Sequence, residues 1–203
     1  LLAAVRRTRV VTVVGASGVG KSSLVRAGLV PELRASGAEI VYVTEHSAPT
    51  LAQRVSATSD GADVVLVLDQ FEDQVAVDPS AARGLLEQVV RLTELEGPSQ
   101  VSAVLTARWS SLDELLTPEL SAVLEPGVVL VGPLDAVQLR DAIVRPSELP
   151  PGHVFEDGLV ERIVAEAGTS PGQLPLVESL LAELWERRLG GYLSMSDYEA
   201  VGG

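Results

Sequence analysis

Val11-Thr12-Val13-Val14 runs without a break into Gly15-Ala16-Ser17-Gly18-Val19-Gly20-Lys21-Ser22-Ser23, and this junction constrains the fold more than any other stretch. It matches G-x-x-x-x-G-K-[ST] in the context the pattern requires, an apolar strand before it and a helical pattern after it. Glycines let the backbone curl so that successive N–H groups point inward and form an anion nest. The helix that starts near Lys21 adds its positive dipole end to the same spot. Gly15, Ala16, Ser17, Gly18, Val19, Gly20, Lys21, Ser22 and Ser23 are therefore the expected phosphate cradle. Lys21 would bridge the β- and γ-phosphates of a nucleoside triphosphate, and the Ser22 hydroxyl would enter a magnesium shell. Of the 15 basic residues Lys21 is the only lysine. A chain that otherwise uses arginine keeps lysine where a compact, rotatable ammonium fits and a planar guanidinium does not.

Five apolar runs have strand length: Arg9–Val14, Glu39–Val43, Asp63–Leu68, Val101–Thr106 and Val128–Val131. They are short, rich in Val and Ile, and apolar on both faces, as in a buried parallel sheet. Helical patterns such as Ser22–Leu33 and Ala81–Glu96 separate most of them, which argues for α/β layers. After Val131 the strands stop, and Leu134–Arg145, Glu156–Ala167 and Leu174–Arg188 read as helices. Ser170-Pro171 supplies a cap and a first-turn proline for the last of these. Pro146, Pro150, Pro151 and Gly152 read as a loop. The expected organisation is a P-loop nucleotide-binding core over 1–132 and a helical lid subdomain over 133–203.

Val64-Val65-Leu66-Val67-Leu68-Asp69 is an apolar strand ending in a carboxylate, and Asp69 would hold magnesium through water. Hydrolysis needs a further group to position or deprotonate the attacking water. Gln70 follows Asp69 directly where many ATPases carry glutamate; it can orient water but is a poor base, so turnover should be slow. Glu72 is the first candidate base, its alternative being an exposed loop acid. Val101-Ser102-Ala103-Val104-Leu105-Thr106 delivers Thr106 and Arg108 near the same sheet edge, where either could sense the γ-phosphate; Arg108 could instead pair with a surface acid.

Gly15-Ala16-Ser17-Gly18-Val19-Gly20-Lys21-Ser22-Ser23-Leu24-Val25-Arg26-Ala27-Gly28-Leu29-Val30-Pro31 resembles the P-loop and following helix of the novel STAND NTPases. Leu68-Asp69-Gln70-Phe71-Glu72 resembles that family's extension of the Walker B strand, and Gly172-Gln173-Leu174-Pro175-Leu176 its Gly-x-x-Pro motif. Tyr198-Glu199-Ala200-Val201-Gly202-Gly203 resembles the start of its winged-helix region. The resemblance implies a three-layer α/β/α sandwich related to AAA+ and apoptotic ATPases, with a five-stranded parallel sheet of order 5-1-4-3-2. It also implies a signalling switch, in which ADP holds a closed monomer and ATP permits self-association. Pro175 would contact the adenine or its ribose; alternatively Leu174-Pro175-Leu176 only packs the first turn of a helix. Arg108-Trp109-Ser110-Ser111 departs from the family, lacking the acid of its Arg-Ser-Asp-like stretch. ATP rather than GTP also rests on the resemblance, since no Asn-Lys-x-Asp motif is present.

Several classes are disfavoured. A net charge of -13 and 3% aromatic content argue against nucleic acid as a partner. Having no cysteine, the chain forms no disulfide, thiolate metal site or cysteine nucleophile. No apolar run approaches the ~20 residues of a membrane span, and the opening Leu1-Leu2-Ala3-Ala4-Val5 lacks the charged region of a signal peptide. Without an initiator methionine, and ending at Gly202-Gly203 without a terminal helix, the chain reads as a cytoplasmic segment joined to further domains of the same polypeptide. His46 and His153 read as solvated loop residues, and Trp109 and Trp185 as packing residues. The expected function is an ATP/ADP-binding regulatory switch with slow ATPase activity. The alternatives are an ordinary P-loop ATPase or phosphotransferase, and a degenerate binder that keeps nucleotide as a structural cofactor.

Overall fold

The computed structural model describes residues 1–44, 51–57, 61–96, 99–150, 152–168 and 172–202. These form two compact units, Leu1–Gly15 with Gly20–Val131 and Ala16–Val19 with Gly132–Gly203.

The first unit is built on β1 (Val10–Val14), β2 (Glu39–Tyr42), β3 (Val64–Leu68), β4 (Val101–Ala107) and β5 (Val128–Leu130). All pairings are parallel and the order is β2-β3-β4-β1-β5, the order the resemblance implied. Every residue of β1, β3 and β4 is buried, because each of these strands has neighbours on both sides and helices on both faces. β2 and β5 are edge strands and are only partly covered, so the expectation of two apolar faces fails there.

Side-chain alternation sends the strands' residues into two cores. Val10, Val14, Leu66, Leu68, Ala103 and Leu105 pack with Phe71, Leu86 and Val89 on one face. Val11, Val13, Val65, Val67 and Val104 pack with Val5, Val25 and Leu29 on the other.

The helix after the glycine loop runs from Lys21 to Ala35, but Leu24–Leu29 is wound as a π-helix in which the Val30 N–H reaches Val25 O. Pro31 has no N–H to give Ala27, and its ring would crowd that carbonyl, so the wider turn relieves both problems. A helix at Leu2–Arg7, which the sequence did not suggest, packs Ala4 and Val5 into the second core.

The second unit has helices at Ala136–Ser147, Leu159–Ala167, Gln173–Arg187 and Met195–Ala200. Leu139, Ile143, Leu159, Ile163, Val177, Leu184 and Tyr198 form its core. Asp135 and Gln138 close a capping box on the first of these helices. Three expectations are corrected here. Strands do not stop at Val131, since β6 (Val154–Phe155) and β7 (Tyr192–Leu193) pair in parallel. Pro146 lies in the last turn of a helix, not in a loop. The chain does carry a helix near its end, capped by the Ser194 hydroxyl. Two-residue strands are too short to show any period, which is why the sequence hides them. The Ser170-Pro171 cap lies outside the described residues; Gly172 is the N-cap of the Gln173–Arg187 helix. Among the described residues no helix is long and apolar enough to cross a membrane.

Candidate functional site

The strand order sets the site. β1, β4 and β3 are neighbours, so their carboxyl ends deliver Gly15, Thr106 with Arg108, and Asp69 with Gln70 to one sheet edge. In open parallel sheets ligands bind outside those ends.

Gly18 (φ 75°) and Gly20 (φ 88°) take the left-handed backbone that a phosphate nest needs, and Gly20 is the N-cap of the helix that starts at Lys21. Lys21 is 7% exposed, and its Nζ donates to Gly15 O at 3.0 Å. The Ser22 hydroxyl donates to Asp69 Oδ1 at 2.8 Å, and the Thr106 hydroxyl donates to the same oxygen at 2.6 Å. Thr106 Oγ1 in turn accepts from the Gln70 N–H at 2.8 Å. Gln70 (φ 54°) is the one non-glycine residue with positive φ among the described residues. Such strain persists only where the surroundings over-determine it, and here the Thr106 bond holds it.

Glu72 is not a loop acid. It stands in the first turn of the Phe71–Val77 helix with its side chain 10% exposed. Its Oε1 lies 3.9 Å from Lys21 Nζ and 3.5 Å from Arg108 Nε, while Oε2 is buried without a hydrogen-bond partner among the described residues. The acid that Arg108 pairs with is therefore a residue of the site.

Two contributions escaped the sequence. Arg26 Nε stands 2.7 Å from Asp69 Oδ2 as an ion pair without hydrogen-bond geometry. Its signal was available, since Arg26 follows Ser22 by four residues on one helix. The Thr106 hydroxyl bonds Asp69 across 37 residues of sequence, and no local pattern announces that.

Within the second unit, a Cβ placed on Gly18 would lie 3.0 Å from Pro175 Cγ and 3.1 Å from Gly172 Cα. Pro175 and Leu176 are exposed, and of these three residues only Leu174 packs against the core of this unit. The cavity beside Gly18, lined also by Gly172 and Leu174, measures about 20 Å³, room for a water but not for a purine. His153 packs edge-on against Phe155 and Trp185 rather than standing in solvent. His46 lies outside the described residues, and Trp109, expected in the packing, is 52% exposed.

The sequence model of the family Novel STAND NTPase 1 matches residues 1–203. The chain belongs to this family. The STAND NTPase domain is similar in fold to solved P-loop ATPases. The Aeropyrum pernix ORC1 protein in complex with DNA superposes with a TM-score of 0.68 at 22% identity, over 97% of this chain and 60% of that one. Domain III of the Thermotoga maritima replication initiation protein DnaA gives 0.68 at 12% identity, over 98% and 88%. The ADP form of the Aeropyrum pernix ORC2 protein gives 0.64 at 16%, over 89% and 57%. The STAND domain thus spans about 60% of the ORC1 chain. No curated protein matches it by sequence.

Proposed function

We propose that this STAND domain is an ATP/ADP-binding regulatory switch of a larger signalling protein, which binds Mg-ATP and hydrolyses it slowly. One observation carries the reading: Lys21 and Ser22 of one segment meet Glu72 and Asp69 of another at one sheet edge. Residues 1–132 act as the nucleotide-binding core and 133–203 as the helical lid.

The residues present fit magnesium. Ser22 and Asp69 offer hard oxygen ligands, and Asp69 Oδ2 is a buried oxygen that accepts no hydrogen bond. Among the described residues no cluster of three or more His, Cys, Asp or Glu could cage a metal. That suits magnesium, which takes one or two carboxylates and completes its shell with waters and substrate phosphates. When bound, magnesium supplies positive charge to the phosphate oxygens.

Gly15, Ala16, Ser17, Gly18, Val19, Gly20 and Ser23 cradle the phosphates, with Lys21 as their cation. Pro175, exposed beside Gly18, meets the adenine or ribose once the small cavity there opens. Glu72 Oε2 accepts the proton of the attacking water, Gln70 helps to orient that water, and Arg108 senses the γ-phosphate. Glu72 Oε1 lies beside two cations, Lys21 and Arg108, and Gln70, which directly follows Asp69, is a poor base, so turnover is slow.

If free ATP exceeds its dissociation constant about 1,000-fold, binding stabilises the loaded state by roughly 4 kcal/mol. Only the part that differs between conformations drives the switch. The ATP state self-associates, in the cytoplasm, and the net charge of -13 keeps nucleic acid out of the proposal. A phosphotransferase needs cations free to meet phosphate. Arg140 and Arg145 instead pair with Glu161 at 3.4 Å and Asp141 at 2.7 Å.

The test is the nucleotide released when the purified domain is denatured. Near-stoichiometric ADP, lost in Lys21→Ala, is the expected result. A protein that arrives empty and shows no saturable ADP binding sinks the reading.

A further inference from the structure

The first unit holds a cavity that the phosphate chemistry leaves unused. It measures about 220 Å³ and opens on the sheet face that carries Val10 and Val14. Leu112 and Leu124, both buried, line its floor, and the exposed Trp109 and Glu125 stand at its mouth. Thr12 and Ser121 are the other polar residues of the wall.

Thr12 is the unusual member. It is 1% exposed, and its Oγ1 has no hydrogen-bond partner among the described residues. Its sheet neighbours are Leu105 and Val128, whose side chains offer none. A buried hydroxyl left alone is costly, and native folds rarely keep one without a reason. A lone water is a poor answer, because it wants two to four polar partners and would leave the apolar space unfilled. A cavity of about 150 Å³ lined by apolar side chains takes up benzene, so at the same ratio this one holds about nine non-hydrogen atoms.

We propose that this cavity binds a small neutral or cationic aromatic molecule carrying one hydroxyl or amino group, which hydrogen-bonds Thr12 Oγ1. The ring fills the space between Leu112 and Leu124 and meets the Trp109 ring at the mouth. The Glu125 carboxylate turns anions away. The site is separate from the nucleotide reading and stands whether or not that reading does.

The experiment titrates the whole chain with 4-fluorophenol and with fluorobenzene, following both by fluorine NMR. The wild-type protein should bind 4-fluorophenol saturably and at least about tenfold more tightly than fluorobenzene, the worth of one satisfied buried hydroxyl. Thr12→Val, which keeps the shape and removes the hydroxyl, should bring the two ligands to equal affinity. Ser121→Leu, which fills the cavity, should abolish binding of both while holding or raising Tm, and so provides a check that does not rest on Thr12. Absence of saturable binding, equal affinities in the wild type, or a preference that survives Thr12→Val overturns the proposal.

Discussion

Arg26 Nε lies 2.7 Å from Asp69 Oδ2, so the carboxylate at the end of β3 already has a cation beside it. The Asp69 side chain is 4% exposed and that of Arg26 59%, so the carboxylate is fixed while the guanidinium can swing into solvent. Oδ1 is engaged by Ser22 and Thr106, which leaves Oδ2 as the oxygen for which a divalent cation, on the proposed reading, would compete with Arg26. A charge buried without a partner is expensive, and Arg26 lowers that cost whenever no metal is present.

Arg26→Gln should therefore tighten metal binding. The pair is half in solvent, where such contacts are worth about 0.2–1 kcal/mol, so the gain is at most about fivefold. Mn²⁺ titration followed by electron paramagnetic resonance, with ADP present, reads it directly. Weaker Mn²⁺ binding would show that Arg26 helps to hold the phosphates rather than competing for Asp69.

Gln70 and Thr106 make a second pair with opposite expected signs. A non-glycine residue in the left-handed region costs about 1–2 kcal/mol, and glycine gives back about 0.5–1 through its greater unfolded freedom. Gln70→Gly should then stabilise the domain by about 0.5–1 kcal/mol in urea titration. Thr106→Val removes the acceptor for the Gln70 N–H and a donor to Asp69, and should cost about 1–3 kcal/mol in the same assay.

What was legible divides along physical lines. β1, β3 and β4 could be read because strands covered on both faces must be apolar throughout, and Gly15–Ser23 because its chemistry is contiguous in sequence. Asp69 could be singled out in a similar way, as the polar end of an apolar strand. The Leu24–Leu29 π-segment was not readable: Pro31 warned that the hydrogen-bond ladder must change, but not how. Glu72 could be singled out from the sequence, yet its burial could not, since only the fold brings Lys21 and Arg108 to it. The cover over Thr12 and the exposure of Trp109 likewise depend on where Trp109–Asp113 and Pro118–Leu124 pack, which no short-range pattern encodes.

His153 gives a pH prediction for the second unit. Burial against Phe155 and Trp185 lowers its pKa below the ordinary 6.5, and the nearby Arg188 charge lowers it further. The folded state therefore binds fewer protons than the unfolded state as the pH drops below about 6.5. This contribution to stability is fully present above that pH and is lost as pH falls through the window toward the lowered folded value. Tm measured between pH 7.5 and 5.5 should decline, and His153→Gln should flatten the decline. An unchanged slope in the variant would assign it to other groups.

Glu72→Gln separates hydrolysis from binding. Gln keeps the side-chain shape but cannot take a proton, so a general base lost here should lower the single-turnover hydrolysis rate by about 10²-fold or more. ADP affinity should stay within about threefold, because removing one carboxylate from beside Lys21 also removes a competitor for that ammonium. The two measurements belong together. Loss of rate with affinity kept assigns the base to Glu72 Oε2, the buried acceptor that no described residue occupies. A rate unchanged by Glu72→Gln but reduced by Gln70→Ala would move the task to Gln70. Water would then be oriented rather than deprotonated, and slow turnover would follow from the absence of a base.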